Sequence, residues 1–246
     1  QLNIGMDASF FNGKLTANVD YYVKETKDML ISLPVSFEAG FQSAPSINGG
    51  SISNKGLELT MGFREKIGDL NWSISGNLSS VSNKVTSLGI GLPITGSSVS
   101  SYISLPATYT EVGEEVGYFK GYIVDGIYQS DSDVDLEFQP NAKAGDFKFR
   151  DINNDGVLTD EDKTKIGSPW PNFTYGANVD LEYKGFDFNL SITGVSGNDI
   201  FNANKINTYP MKYFGGSGVV NASKNILNRW TPGSGRNEIP RLIYND

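Results

Sequence analysis

Length, composition and charge already exclude several classes of protein. The chain has 246 residues, enough for one large β domain or two small ones. It carries 20 basic and 28 acidic residues, and its net charge of -8 disfavours nucleic-acid binding, which needs a basic surface. It has no His and no Cys, which removes Ser–His and Cys–His nucleophile pairs, His-ligated zinc and disulfides. We therefore predict that it is not an enzyme and does not bind nucleic acid.

The first two predicted strands alternate apolar and polar residues, as strands with one apolar face do. They span residues 2–10 and 14–24. Between them, Asn12-Gly13 predicts a two-residue hairpin turn, because this dipeptide adopts the left-handed conformations that such turns need. The apolar face of this hairpin would consist of Leu2, Ile4, Met6, Ala8, Phe10, Leu15, Ala17, Val19, Tyr21 and Val23.

Two further hairpins show the same alternation. Residues 56–64 and 70–79 form the second, and residues 173–183 and 186–193 form the third, with Lys184-Gly185 as its turn. The sequence thus predicts six strands in three hairpins, each strand about nine to eleven residues long. That is the length that crosses a bilayer when a strand is tilted by about 45°.

The connections alternate between tight turns and long segments. The long segments are 26–55, 80–172 and 195–246. Loops beyond about 15 residues are uncommon in compact soluble domains, whereas outer-membrane barrels combine short periplasmic turns with long extracellular loops. We therefore expect residues 80–172 to form a long extracellular loop region.

Aromatic residues lie towards both ends of the predicted apolar face, as in the two girdles of a membrane barrel. Those assigned to the tight-turn end are Phe10, Trp72, Tyr183 and Phe186. Those assigned to the long-loop end are Tyr21, Phe63, Phe173 and Tyr175. The placement favours a transmembrane sheet over a soluble β-sandwich, which also alternates.

Six strands cannot close a membrane barrel, since the smallest known barrels have eight and an open edge is not tolerated in lipid. The fold class predicted is therefore all-β, with residues 1–246 forming part of a larger transmembrane antiparallel β-barrel.

An acidic loop at residues 151–162 (DINNDGVLTDED) has the spacing of an EF-hand calcium loop. Gly156 stands where that loop makes its sharp turn. The predicted Ca²⁺ ligands are Asp151, Asn153, Asp155, the Val157 carbonyl, Thr159 through a water molecule, and Asp162. Asp162 replaces the usual Glu and has a shorter reach. The alternative is a loop of Asx turns that satisfies its own backbone without metal.

Several aromatic residues in the predicted loops could stack on sugar rings or simply pack the loops. They are Tyr118, Tyr122, Tyr128 and Trp170. We favour packing, the commoner role of aromatic side chains in long loops.

A series of short motifs resembles the SusC/RagA-like family of TonB-dependent outer-membrane transporters. Each motif is weak alone, but their order and spacing across nearly the whole chain are specific. The motifs are 54–59 (NKGLEL), 117–122 (GYFKGY), 125–129 (DGIYQ), 145–156 (GDFKFRDINNDG), 166–176 (IGSPWPNFTYG), 194–202 (GVSGNDIFN) and 228–232 (NRWTP).

The resemblance implies a parent barrel of 22 strands with an N-terminal plug, located in the cell outer membrane and driven by TonB. It implies a SusD-like surface lipoprotein as partner and oligosaccharide or peptide substrates. This chain resembles the later part of the barrel and lacks the plug and the TonB-interacting segment. The alternative function is a secreted, soluble β-sandwich that binds carbohydrate and carries a calcium loop.

Overall fold

The largest element of the protein is an antiparallel sheet of six strands, each paired with the next. The computed structural model describes residues 1–32, 45–89, 91–100, 103–209 and 222–241. With strands numbered in chain order, the sheet consists of β1 (Leu2–Phe10), β2 (Leu15–Ser32), β3 (Ser46–Ile67), β4 (Leu70–Leu88), β13 (Phe173–Tyr183) and β14 (Phe186–Ser196). The predicted six strands in three hairpins are confirmed.

The register of the sheet keeps the two predicted faces apart. Val19 lies opposite Leu59, and Leu59 lies opposite Leu78, so apolar side chains continue across three strands. One residue further along, Asp20 lies opposite Glu58 on the other face. We call the first the apolar face and the second the polar face.

Strands β2, β3 and β4 are longer than predicted, at 18, 22 and 19 residues. The predicted loop 26–55 is therefore wrong at both ends, since residues 26–32 belong to β2 and 46–55 to β3, while 33–44 lie outside the described residues. The alternation ends there because the β2–β3 register shifts between Thr26 and Leu30, with Asp28 at a positive φ of 55°. Residues 80–88, assigned to the loop 80–172, likewise continue β4.

The tight turns differ in construction. Phe10 pairs with Leu15, so the first hairpin has a four-residue turn with positive φ at Phe11, Asn12 and Gly13. The two-residue turn predicted from Asn12-Gly13 is therefore wrong. Lys184-Gly185 is a two-residue turn with both φ angles positive, as the type I′ turn requires, and that prediction is confirmed.

Side chains on the apolar face are exposed rather than packed into a core. Ile4, Met6 and Phe188 expose 62%, 64% and 55% of their surface. The buried apolar residues in the described part of the chain are Ile31, Val85, Leu88, Tyr118, Ile127, Tyr128, Phe138, Ile226 and Trp230. None of them belongs to the six alternating segments.

The aromatic residues of the apolar face lie at both ends of its span, with one correction. Tyr175 lies opposite Leu78, towards the long connections, and Tyr183 lies at the tight turn with Phe186. Phe63, however, lies opposite Leu15 near a tight turn and contacts Trp72, with 5.2 Å between ring centroids. Its assignment to the long-loop end is wrong because Phe63 lies only four residues before Ile67, where β3 ends at its tight turn with β4.

The segment between β4 and β13 forms short strands. They are β5 (Ile94–Thr95), β6 (Ser98–Ser100), β7 (Ile103–Pro106), β8 (Thr108–Thr110), β9 (Tyr118–Gly121), β10 (Val124–Ile127), β11 (Phe147–Phe149) and β12 (Thr164–Gly167). Helical structure in the described ranges is limited to α1 (Asn204–Thr208) and 3-10 turns at 131–133, 160–162 and 224–228. No helix in those ranges is long and apolar enough to span a membrane.

The chain divides into two compact units. The first comprises residues 1–94, 109–118 and 168–199, and contains the six-stranded sheet. The second comprises 95–108, 119–167 and 200–246. Within the second, β10 pairs with β11, and β12 pairs antiparallel with β9, with Thr164 opposite Gly121.

Candidate functional site

The polar face of the six-stranded sheet carries carboxylates held by neighbouring strands. The Asn18 amide donates to Asp7, with 2.6 Å between Nδ2 and Oδ1. The Asn71 amide donates to Glu182 at 3.0 Å, and the Ser73 hydroxyl donates to Asp180 at 3.1 Å. These carboxylates are fixed by neutral donors and stay accessible to water.

Near the tight turns Lys14 and Arg64 add cations to this surface, and Lys24 adds one towards its other end. Lys14 donates to both carboxylate oxygens of Glu65, at 2.8 and 2.6 Å. Arg64 donates through Nε to the Gly13 carbonyl. A groove at the tight-turn end is lined by Lys14 and Arg64 together with Asp180, Glu182 and other side chains of β3, β4, β13 and β14.

The acidic loop 151–162 makes the sharp turn that its spacing predicts. Gly156 has a φ of +77°, and the preceding Asn154 has a φ of +60°. Asp151 accepts from two backbone N–H groups, those of Asn154 at 2.6 Å and Gly156 at 2.9 Å. Asp155 accepts from Val157 N–H at 2.8 Å, and its second oxygen accepts from the Asn153 amide at 2.8 Å.

Asp162 closes the loop from its far end. It is fully buried, and its two oxygens accept from the backbone N–H groups of Ile152 at 2.9 Å and Thr159 at 2.8 Å. The Thr159 hydroxyl accepts in turn from Glu161 N–H. The backbone donor of Thr159, and then that of Ile152, hold the pKa of Asp162 below its usual range, with a smaller contribution from Asp151.

The predicted calcium ligands therefore lie in one loop. Asp151 and Asp162 interact, whereas Val157 is exposed and lines a neighbouring groove with Leu158. In the ranges that the structure describes, no three His, Cys, Asp or Glu side chains are grouped to hold a metal ion. A calcium site here would need the Asn153 amide oxygen and the Val157 carbonyl besides the carboxylates, as the EF-hand pattern does. Calcium binding stays a prediction.

Two of the four candidate stacking aromatics are packed inside the structure. Tyr118 and Tyr128 each expose 2% of their surface, so neither presents a ring face to a sugar. The Tyr118 hydroxyl donates to Glu111 at 2.6 Å. Burial, and then this carboxylate, raise the pKa of Tyr118. The Trp170 indole N–H donates to the Val116 carbonyl.

A buried polar cluster in the second unit was not predicted from the sequence. Gln139 accepts from the Tyr128 hydroxyl and from Phe149 N–H, both at 3.0 Å, and donates to the Phe147 carbonyl at 3.1 Å. This cluster fixes the β10–β11 hairpin against residues 138–139. A lone Gln in a polar stretch carries no local signal of this role, because its partners come from 8 to 11 residues away.

Residues 222–241 bind to residues that flank the β10–β11 hairpin. Arg241 donates through Nε and Nη2 to the two oxygens of Asp146, at 2.8 and 3.1 Å. The buried Trp230 donates through its indole N–H to Gln129 at 3.1 Å. A bidentate Arg–carboxylate pair and a buried aromatic together hold residues 222–241 in one position.

An exposed apolar face, a hydrated polar face and long loops at one end define a membrane β-barrel wall. The protein family described as "TonB dependent receptor-like, beta-barrel" matches residues 1–233. The chain belongs to this family.

Relatives with curated names narrow the assignment. The chain is 31% identical to TonB-dependent receptor P26 of Formosa agariphila over 242 residues, covering 98% of this chain and 24% of that protein. It is 26% identical to TonB-dependent receptor SusC of Bacteroides thetaiotaomicron, covering 99% of this chain and 24% of that protein. It thus spans about a quarter of the length of these relatives.

Solved structures agree with this assignment. The chain superposes on the RagAB peptide transporter with a TM-score of 0.75 and 25% identity, covering 98% of this chain and 25% of that one. The RagAB peptide importer in its open-open state gives a TM-score of 0.72 and 26% identity. The predicted SusC/RagA-like type is confirmed, as are the barrel fold and its extent beyond this chain. These relatives are receptors and transporters, so the prediction that the chain is not an enzyme is also confirmed.

Proposed function

We propose that this chain forms part of the wall of an outer-membrane transporter that imports oligosaccharides or peptides. The observation that carries the proposal is the exposed apolar face of the six-stranded sheet. On β3 this face runs from Leu57 to Ile67, interrupted by Glu65, and spans roughly 25 Å once a tilt of about 40° is allowed for. That height matches the apolar band of membrane barrels.

The alternative function is a soluble β-sandwich that binds carbohydrate, and the exposure of the apolar face of the sheet does not support it. A sandwich buries its apolar face against a second sheet. Here Leu57, Met61 and Ile74 expose 51%, 45% and 45% of their surface. Hydrocarbon is the environment that satisfies such a face, since about 25 cal/mol per Å² would otherwise oppose its contact with water.

Partners follow from the family. The proposal therefore includes a SusD-like surface lipoprotein over the extracellular mouth of the barrel and TonB at its periplasmic side. The peptide transport in the name of the RagAB structures supports a peptide substrate, and oligosaccharides stay the alternative that the family resemblance implies. The hydrated polar face would line the route of either substrate.

The test uses the full-length protein in its own cells. Deleting its gene should leave growth on monomers unchanged and abolish growth on the oligosaccharide or peptide that the protein imports. Complementation with the intact gene should restore growth, and the protein should fractionate with the outer membrane. Recovery of the full-length protein in a soluble fraction would contradict the proposal.

A further inference from the structure

The apolar face of the sheet becomes polar and basic where β2, β3 and β4 continue beyond the apolar band. On β3, the run of apolar residues on this face ends at Leu57, and Lys55 and Ser53 follow it, with Val23 of β2 opposite Lys55. On β4, Leu78 is followed on this face by Ser80, then Ser82, then Lys84. All of this lies at the end away from the tight turns.

The two lysines are diagonal neighbours on adjacent strands. Lys55 lies opposite Ser82, and Lys84 lies opposite Ser53. Diagonal positions of this kind are about 7–8 Å apart, a spacing at which two long side chains can reach one ligand. Both lysines are exposed, and they line a shallow depression with both serines.

The surrounding charges leave this patch basic. Glu25 lies opposite Ser53 and lines the same depression, but Lys27 approaches its carboxylate at 3.6 Å. The patch thus has three ammonium groups against one carboxylate, in a chain whose net charge is -8. Neither Lys55 nor Lys84 has an ion-pair partner in the ranges that the structure describes.

We infer that Lys55 and Lys84, with the hydroxyls of Ser53 and Ser82, bind the phosphate of an outer-leaflet lipid headgroup. The surface is continuous with the apolar face, so its neighbour in the membrane is lipid. Lys55 lies two residues, about 7 Å along the strand, beyond Leu57. Headgroup phosphates lie just outside the hydrocarbon core, and a lysine near such a surface contributes attraction to anionic lipid.

This inference goes beyond import and rests on the proposed outer-membrane location. The test uses the purified full-length protein in nanodiscs that contain a neutral phospholipid and either bis-phosphorylated lipid A or its dephosphorylated form. Native mass spectrometry counts the lipid A molecules retained. The wild type should retain the phosphorylated form preferentially, and Lys55→Ala/Lys84→Ala should lower its apparent affinity by about tenfold or more.

Lys24→Ala is the matched control, because Lys24 lies opposite Asn54 on the polar face, at nearly the height of Lys55. It removes one ammonium group, as Lys55→Ala or Lys84→Ala alone does, and should leave lipid A retention unchanged. Equal retention of the two lipid A forms, no effect of the double substitution, or an equal loss in Lys24→Ala would each overturn the inference. So would competition by inorganic phosphate at equal concentration, which would indicate a free-anion site. A full-length protein that does not enter nanodiscs would instead contradict the proposed membrane location.

Discussion

Single residues decide the conformation of the acidic loop. Asp162 is buried, and its carboxylate is the acceptor for backbone groups at both ends of the loop. Gly156 supplies a left-handed conformation that side chains with a Cβ rarely adopt. The loop therefore has a specific structure, with its sharp turn at Gly156 where the spacing predicted it.

Asp162→Asn should loosen this loop, because an amide offers one acceptor oxygen where two backbone donors need one each. Hydrogen exchange of the amides in residues 151–163 of the full-length protein should become at least about tenfold faster. Glu137→Gln is the control, since that exposed side chain lies outside the loop and the substitution removes the same charge. Unchanged exchange in Asp162→Asn would contradict the role given to this carboxylate.

The stability of the acidic loop should also depend on pH, and it should decrease only as the solution becomes acidic. Because the folded-state pKa of Asp162 lies below its usual value, the carboxylate stabilises the loop above the unfolded-state pKa. That stabilisation is lost as the pH falls through the lowered folded-state pKa. Exchange protection in 151–163 should therefore be constant at neutral pH and decrease only in acid. A loss of protection on raising the pH from 6 to 8 would contradict this account.

Calcium binding is a separate prediction for the same residues. Calorimetric titration of the full-length protein with Ca²⁺ should show a dissociation constant of order 10⁻⁴ to 10⁻³ M, the range of extracellular calcium modules. Asp151→Asn should weaken it, while Glu137→Gln should not. Absence of binding heat at about 10 mM Ca²⁺ would leave the self-satisfied Asx-turn loop as the correct alternative.

At the scale of elements, alternation predicted the strands well where it persists. β1 and β13 begin and end at the predicted residues because strict period-two patterning lasts to their turns. The distal part of β4 was missed because Ser80, Ser82 and Lys84 stand where apolar residues would continue the pattern. The distal parts of β2 and β3 were missed for two other physical reasons. The bulge between Thr26 and Leu30 breaks the period, and Gly49 and Gly50 carry no side chain to mark a face.

The features of the candidate sites also divide into those that local sequence predicts and those that it does not. Local spacing predicted the turn at Gly156 because a sharp turn leaves a sequence signature. The Tyr128–Gln139 cluster and the Arg241–Asp146 pair have no such signature, because they join residues that only the folded chain brings together. Polar residues in long loops look alike in sequence until their partners are known.

Substitutions on the two faces of β3 should differ sharply in their effect. Met61→Lys places a charge in the middle of the apolar face and should lower the free energy of unfolding in a bilayer by about 2–4 kcal/mol. Thr60→Lys, one residue away on the polar face, should change it by less than about 1 kcal/mol. Urea unfolding of the full-length barrel in lipid vesicles measures both. Equal effects of the two substitutions would contradict the assignment of the faces.

At the scale of the whole molecule, the account depends on where the exposed apolar surface lies. The chain carries a net charge of -8, and many of its acidic groups lie on the polar face or in the loops. A sheet whose apolar face stays exposed, as it does at Leu57, Met61 and Ile74, is suited to hydrocarbon on that side and water on the other. Membership of the TonB-dependent receptor β-barrel family is consistent with that environment.

Spin-label accessibility along β3 tests this most directly. Single cysteines at positions 57 to 63 would be introduced into the full-length protein, in a background without other cysteines, and labelled in lipid vesicles. Collision with oxygen, which concentrates in hydrocarbon, should be high at 57, 59, 61 and 63, and collision with a water-soluble nickel reagent should be low there. Uniformly low collision with oxygen at these four positions would mean that the apolar face is buried in protein, and would contradict the account.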